Sequence, residues 1–145
     1  MNKERSILPV DIVMAPSWWN KNAGIIFDED FFFHPARRVE FERTMEKVLY
    51  DRWGQYGIGD RNAGSLPIVG AVHLASGFLL PEMLGCEVKY SADAPPLVVP
   101  ANRSNINIKT DEAFSSPAFK KFENMTESLK GKFGYLAGDV NWSGV

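Results

Sequence analysis

The sequence predicts an α/β protein, and three observations carry the prediction. The run Leu66 to Val72 is apolar and uncharged, as expected of a strand covered on both faces. The segments 35–53 and 117–133 each repeat apolar residues at helical spacing. Read end to end, the elements alternate as strand, helix, strand, short helix, strand pair, helix and strand, the rhythm of crossover units around a parallel sheet. A complete eight-stranded barrel takes ~250 residues, so 145 residues are expected to supply only the amino-terminal portion of a TIM (β/α)8 barrel.

After a charged start, Ile7 to Ala15 is an apolar segment, interrupted by Pro9 and Asp11, that reads as the first strand and stops at Pro16. Ser17 to Gly24 then reads as a loop. Trp18 and Trp19 are adjacent and cannot point the same way on extended backbone. Either one of them faces a cavity, or both are packing aromatics. Phe27 to Pro35 reads as an acidic, aromatic loop, and Pro35 suits a first helical position, where its missing N–H costs nothing. From there to Trp53, the residues Phe41, Met45, Val48, Leu49 and Tyr50 share one helical face, and Gly54 is expected to close the helix. Glu40, Glu42, Arg43, Glu46 and Lys47 fill the other side as surface pairs worth ~0.2–0.5 kcal/mol each. The glycine-rich connection from Gly54 to Ser65 has neither the G-x-G-x-x-G spacing nor a Gly-Lys-Ser/Thr ending, and it precedes a strand. It does not read as a nucleotide loop.

Beyond the Leu66–Val72 strand, the chain passes His73, Ala75, Ser76 and Gly77 and enters a short helix that stops at Gly85. Glu87 to Tyr90 alternates like a half-exposed strand, Ser91 to Pro96 is a turn by composition, and Leu97 to Val99 reads as a short edge strand. Asn102 to Ile108 reads as polar linker. Ser116 and Pro117 form an N-cap and a first-turn proline, after which Phe119, Phe122, Met125, Leu129 and Phe133 trace one helix face up to Gly134. Tyr135 to Val140 is the last strand, with Asp139 near its end. Polar groups just past the carboxyl end of buried strands lie where α/β folds place their chemistry, which nominates His73, Ser76 and Asp139.

Composition bounds the function. With 45% hydrophobic and 12% aromatic residues, the chain can bury one core and carries no signature of disorder. A net charge of −2 and a pI near 5.7 argue against nucleic acid as partner, and the tight basic pairs, Arg37-Arg38 and Lys120-Lys121, read as solvated helix faces. The single cysteine, Cys86, excludes an internal disulfide, and the opening residues lack the apolar core of a secretion signal, so a reducing cytoplasm is expected. No apolar run approaches the ~20 residues of a membrane span.

One resemblance reaches across most of the chain. Ser76-Gly-Phe-Leu-Leu-Pro81-Glu-Met-Leu84-Gly85-Cys86-Glu87-Val88, continuing through Asp93-Ala94-Pro95-Pro96, is similar to the uroporphyrinogen decarboxylase superfamily, where an Ala-Leu-Gly-x-Glu-Val stretch is followed by an acidic residue and prolines. Gly138-Asp139-Val140-Asn141-Trp142-Ser143-Gly144 resembles that family's glycine-rich strand end facing substrate, and Trp53-Gly54 resembles its helix ending in Tyr/Phe-Gly. The resemblance implies a TIM barrel more than twice this length, so the chain is expected to be a fragment. It also implies an enzyme, either a porphyrinogen decarboxylase or a corrinoid-linked methyltransferase.

Departures from the family pattern choose between these. The decarboxylases resemble one another in an early Arg-x-x-Gly-Arg signature and in an Asp eight residues before the Leu of the Leu-Gly pair. Here Ala15 to Asn20 holds no arginine, and the eighth residue before Leu84 is Ser76, whose hydroxyl cannot stabilise a cationic pyrrole as a carboxylate would. The methyltransferase branch remains, in which the resemblance implies methyl transfer between a small methylated substrate and the cobalt of a corrinoid carried by a partner protein. Some members hold zinc with a His-x-Cys and a distant Cys to activate a thiol. That spacing is absent from His34, His73 and Cys86, so any zinc is expected outside this segment.

The chain is then expected to form one wall of a pocket. Asp139 either bonds substrate or acts as an acid, or else caps a following helix, and His73 is either a pocket residue or a structural histidine. Asn141 offers a donor and acceptor, Trp142 a flat surface, and Trp18, Trp19, Asn20 and Ser76 border the same mouth. Glu82 reads as a helix-surface residue and Cys86 as a small buried filler. The rival from another class is a non-catalytic binding module, with Phe31, Phe32 and Phe33 exposed as an interaction patch.

Overall fold

The computed structural model describes residues 14–62, 77–100 and 109–133. Six α-helices and one two-stranded sheet occupy them. Of the predicted barrel strands, Leu66–Val72 and Tyr135–Val140 lie outside the described residues, as does Ile7–Ala15 but for its last two positions.

The chain after Ala15 is helical, where a loop was expected: α1 spans Pro16–Ala23. Pro16 occupies the first helical position, so it starts an element instead of merely ending one. Adjacent residues on a helix diverge by about 100°. Trp19 therefore enters the core, at 6% exposure, while Trp18 lies at the helix flank, edge-on to Trp19 at 4.9 Å and stacked on Trp53 at 5.9 Å.

The expected acidic loop also contains a helix, α2 (Glu29–Phe33). Asp28 makes it possible, because its Oδ1 accepts the Phe31 N–H at 3.1 Å and satisfies one of the donors a helix start leaves open. Phe31 and Phe32 are consequently buried, at 3% and 5% exposure, and Phe33 is half-buried. The exposed triple-phenylalanine patch does not exist. His34 then caps α3 (Pro35–Trp53), with Nδ1 accepting the Arg37 N–H at 3.2 Å.

Helix α3 has the predicted bounds, but two details differ. Arg38 and Val39 are buried, as Leu49 is, and Glu42 is partnered to Arg38, so that part of the charged face is interior. Gly54 does not end the spiral either. It keeps right-handed angles, φ −59° and ψ −27°, and opens a 3-10 turn, Gly54–Tyr56, that stops at Gly57. Gly59, at φ 76°, then passes so near α3 that a Cβ would strike the backbone of Tyr50 and Glu46. Only glycine fits there.

Helix α4 (Leu79–Met83) closes through Gly85 at φ 84°, with the Cys86 N–H donating to the Pro81 carbonyl at 2.9 Å. Strands β1 (Glu87–Lys89) and β2 (Leu97–Val99) follow and pair antiparallel, in the register Glu87↔Val99, Val88↔Val98, Lys89↔Leu97. This pair is an antiparallel hairpin, and the turn between its strands is shorter than the dozen or so residues a parallel crossover needs; among the described residues it has no parallel neighbour.

Helix α5 (Thr110–Phe114) had no signal in the sequence reading. Helix α6 (Pro117–Phe133) had a clear one: Ser116 Oγ accepts the Phe119 N–H at 3.2 Å, as a cap should. Its buried face, Ala118, Phe122, Met125 and Leu129, packs with α2, α3 and α4. Burial of each large side chain contributes about 1.5–3 kcal/mol. The result is a helical layer beside one small hairpin.

Candidate functional site

Of the residues nominated from sequence, Trp18, Trp19 and Asn20 lie together on α1. His73, Ser76, Asp139, Asn141 and Trp142 are outside the described residues. Asn20 Nδ2 donates to the Ile25 carbonyl at 2.9 Å and to the Ala92 carbonyl at 3.3 Å. Ala92 also accepts the Phe27 N–H at 3.0 Å. One carbonyl in the β1–β2 turn thus anchors both α1 and the segment after it. Beside them, the Arg52 guanidinium sits 5.0 Å over the Trp18 ring and donates to Asn22 Oδ1 at 3.0 Å. Trp18 therefore meets both Trp53 and Arg52, the latter in the geometry of a cation on an aromatic face.

A second polar group assembles where four elements meet. Glu82 of α4, Tyr90 just past β1, Glu29 of α2 and Lys121 of α6 come together there, with Tyr90 edge-on to the rings of Phe33 and Phe78. Tyr90 Oη donates to Glu82 Oε2 at 3.4 Å, and Lys121 Nζ donates to Glu29 Oε1 at 2.5 Å while lying 5.7 Å above the Phe33 ring. Burial pushes the Glu82 carboxyl above the usual carboxylate range, assisted by the charge of Glu29 and opposed by Lys121 and the Tyr90 hydrogen bond. Burial likewise raises the Tyr90 phenol, helped by the charges of Glu82 and Glu29. The hydrogen bond to Glu29 raises Lys121.

Sequence reading missed this group. Glu82, expected on a helix surface, is half-buried, and nothing in the spacing of Glu29, Glu82, Tyr90 and Lys121 announces their meeting. The one available signal was the apolar character of the short helix carrying Glu82. A carboxyl there is flanked by Leu79, Leu80 and Met83.

Among the described residues, no three His, Cys, Asp or Glu side chains are placed to hold a metal ion. His34 Nδ1 is engaged in capping α3, and Cys86 is half-buried in the turn after α4. Also among the described residues, no helix is long and apolar enough to cross a membrane. No protein-family model matches the chain, and neither a curated protein nor a solved structure matches it.

Proposed function

We propose that the chain forms the amino-terminal portion of a uroporphyrinogen decarboxylase-like barrel, working as a corrinoid-linked methyltransferase on a small methylated substrate. The observation that most supports this reading is the contact between Asn20 and Ala92. It joins the early Trp18–Asn20 segment to the turn after the Leu84–Val88 motif, 72 residues along the chain. Two stretches that the resemblance covers, one of them expected to border the pocket mouth, are thereby neighbours. In this reading Asp139 and His73 handle protons at the leaving group, Ser76, Asn141 and Trp142 contact substrate beside Trp18 and Asn20, and Trp19 backs them from the core. A corrinoid on a partner protein would supply the cobalt that exchanges the methyl group, and zinc, where the full-length protein uses it, would lower the pKa of a thiol.

The test adds a methylated corrinoid protein, and separately uroporphyrinogen, to the protein expressed from its complete reading frame. Loss of the methyl–cobalt absorbance in the first mixture once the demethylated small substrate is supplied as methyl acceptor, with no carbon dioxide released in the second, is the expected result. Carbon dioxide from uroporphyrinogen would reassign the protein to the decarboxylases. No turnover in either mixture would favour a binding module.

A further inference from the structure

We propose that β1 is a self-complementary docking edge, on which a second copy of this chain pairs antiparallel about Val88 and continues the sheet in the order β2, β1, β1, β2. The inference rests on the hairpin alone, independently of the methyltransferase reading.

The hairpin is anchored before any partner arrives. Val88, Tyr90 and Val98 pack against the core, and in the turn the Ala92 carbonyl accepts from Asn20 Nδ2 and from the Phe27 N–H. Among the described residues the sheet has only these two strands, so each has a hydrogen-bonded strand neighbour on one side. An edge of that kind is a template for another chain. The two edges differ, however. Strand β2 is bracketed by Pro96 and Pro100, which have no N–H to donate, and this stops a ladder from extending along it. Strand β1 and its flanking residues, Cys86 and Tyr90, hold no proline.

Charge then selects the arrangement. Glu87 and Lys89 are two residues apart and so share a face, with side chains 64% and 60% exposed, while Val88 lies on the opposite, half-buried face. Within one chain they sit 3.7 Å apart, too far for a hydrogen bond. An antiparallel pairing centred on Val88 sets Glu87 of each copy opposite Lys89 of the other, so two opposite-charge pairs form across a twofold axis. A parallel pairing in register would set like charges side by side, and the same residues oppose it. Charges that ordinarily guard an edge are here of both signs, and they admit one partner in one orientation. The ladder is short and its interface lies below the ~1,000 Å² of a durable complex, which makes the dimer weak and concentration-dependent.

Sedimentation velocity of the full chain over a concentration series reads the pairing. The wild type should show a monomer–dimer equilibrium that weakens with added salt. Glu87→Lys and Lys89→Glu each turn both cross-strand pairs into like-charge pairs, and each should weaken dimerisation about tenfold or more. An equimolar mixture of these two variants should associate about as strongly as the wild type, because one then presents lysine, and the other glutamate, at both positions. Both substitutions in one chain should likewise restore the dimer. Amide shifts of the wild type on dilution need no variant, and they should concentrate between Glu87 and Tyr90. A wild type that stays monomeric into the millimolar range, a dimer indifferent to either substitution, a mixture no stronger than its components, or dilution shifts confined to another surface would overturn the proposal.

Discussion

Arg38 holds one oxygen of Glu42 with two donors: Nε and Nη2 reach Oε1 at 2.7 and 2.6 Å, one turn apart on α3. The guanidinium is 1% exposed and lies 4.3 Å over the Phe31 ring, which fixes α2 against α3. Burial lowers the affinity of Arg38 for its proton, yet Glu42 opposes that effect and a guanidinium keeps its charge in proteins. Nη1 finds no hydrogen-bond partner among the described residues. The pair is therefore a place where one deletion strands a charge.

Glu42→Ala should cost about 3–5 kcal/mol, because it leaves a buried cation uncompensated. Arg38→Met, which removes the cation and keeps apolar volume, should cost distinctly less. Urea denaturation of both variants decides the matter. Equal losses would mean that the aliphatic packing of Arg38, and not its charge, governs this corner.

Asn20→Ala should lose about 1–3 kcal/mol, through two hydrogen bonds and two carbonyls left without that donor. Asn20→Asp should be worse than alanine, since a carboxylate cannot donate and would face the carbonyls of Ile25 and Ala92. Thermal unfolding gives the order. If aspartate is tolerated better than alanine, the link between α1 and the hairpin turn is not what holds these segments together.

Legibility tracked the kind of force involved. Helices α3 and α6 could be read because proline starts, a serine cap and apolar spacing are local, and they agree with the packing that buries Leu49, Phe122 and Met125. The segments Ser17–Gly24 and Phe27–Pro35 were read as loops because α1 and α2 are too short for periodicity to show, and because aspartate favours turns only on average. Asp28 was a helix cap all along, and its side-chain bond to Phe31 turns the following phenylalanines inward. The polar junction of Glu29, Glu82, Tyr90 and Lys121 was illegible for a different reason. Its members come from four elements, and no local pattern records which of them will meet.

Gly59→Ala should cost about 3 kcal/mol or more. The substitution meets two penalties at once, a left-handed backbone and a collision with the backbone of α3 at Tyr50 and Glu46. Gly24, which ends α1 at φ 66° with open space around it, isolates the first penalty, and Gly24→Ala should cost only about 1–2 kcal/mol. Parallel denaturation curves compare them. Similar costs at both positions would deny the close approach of Gly59 to α3.

Alkaline pH should destabilise the fold, and Tyr90 should account for much of the effect. The folded phenol holds its proton above the ordinary value of 10.0, so its contribution is present below that pH. It is lost as pH rises toward the folded value, because the unfolded chain then gives up the proton first. Lys121 acts in the same direction: its folded value lies above 10.5, so its contribution is complete below 10.5 and disappears as pH passes the folded value. Tyr90→Phe should therefore flatten the alkaline limb of a stability-against-pH curve, and Lys121→Gln should flatten it further. Tyrosinate absorbance in the folded protein supplies an independent reading. A Tyr90 that ionises at or below its ordinary value of 10.0 would remove the basis for this expectation, since burial and the nearby carboxylates of Glu82 and Glu29 are what hold its proton above that value.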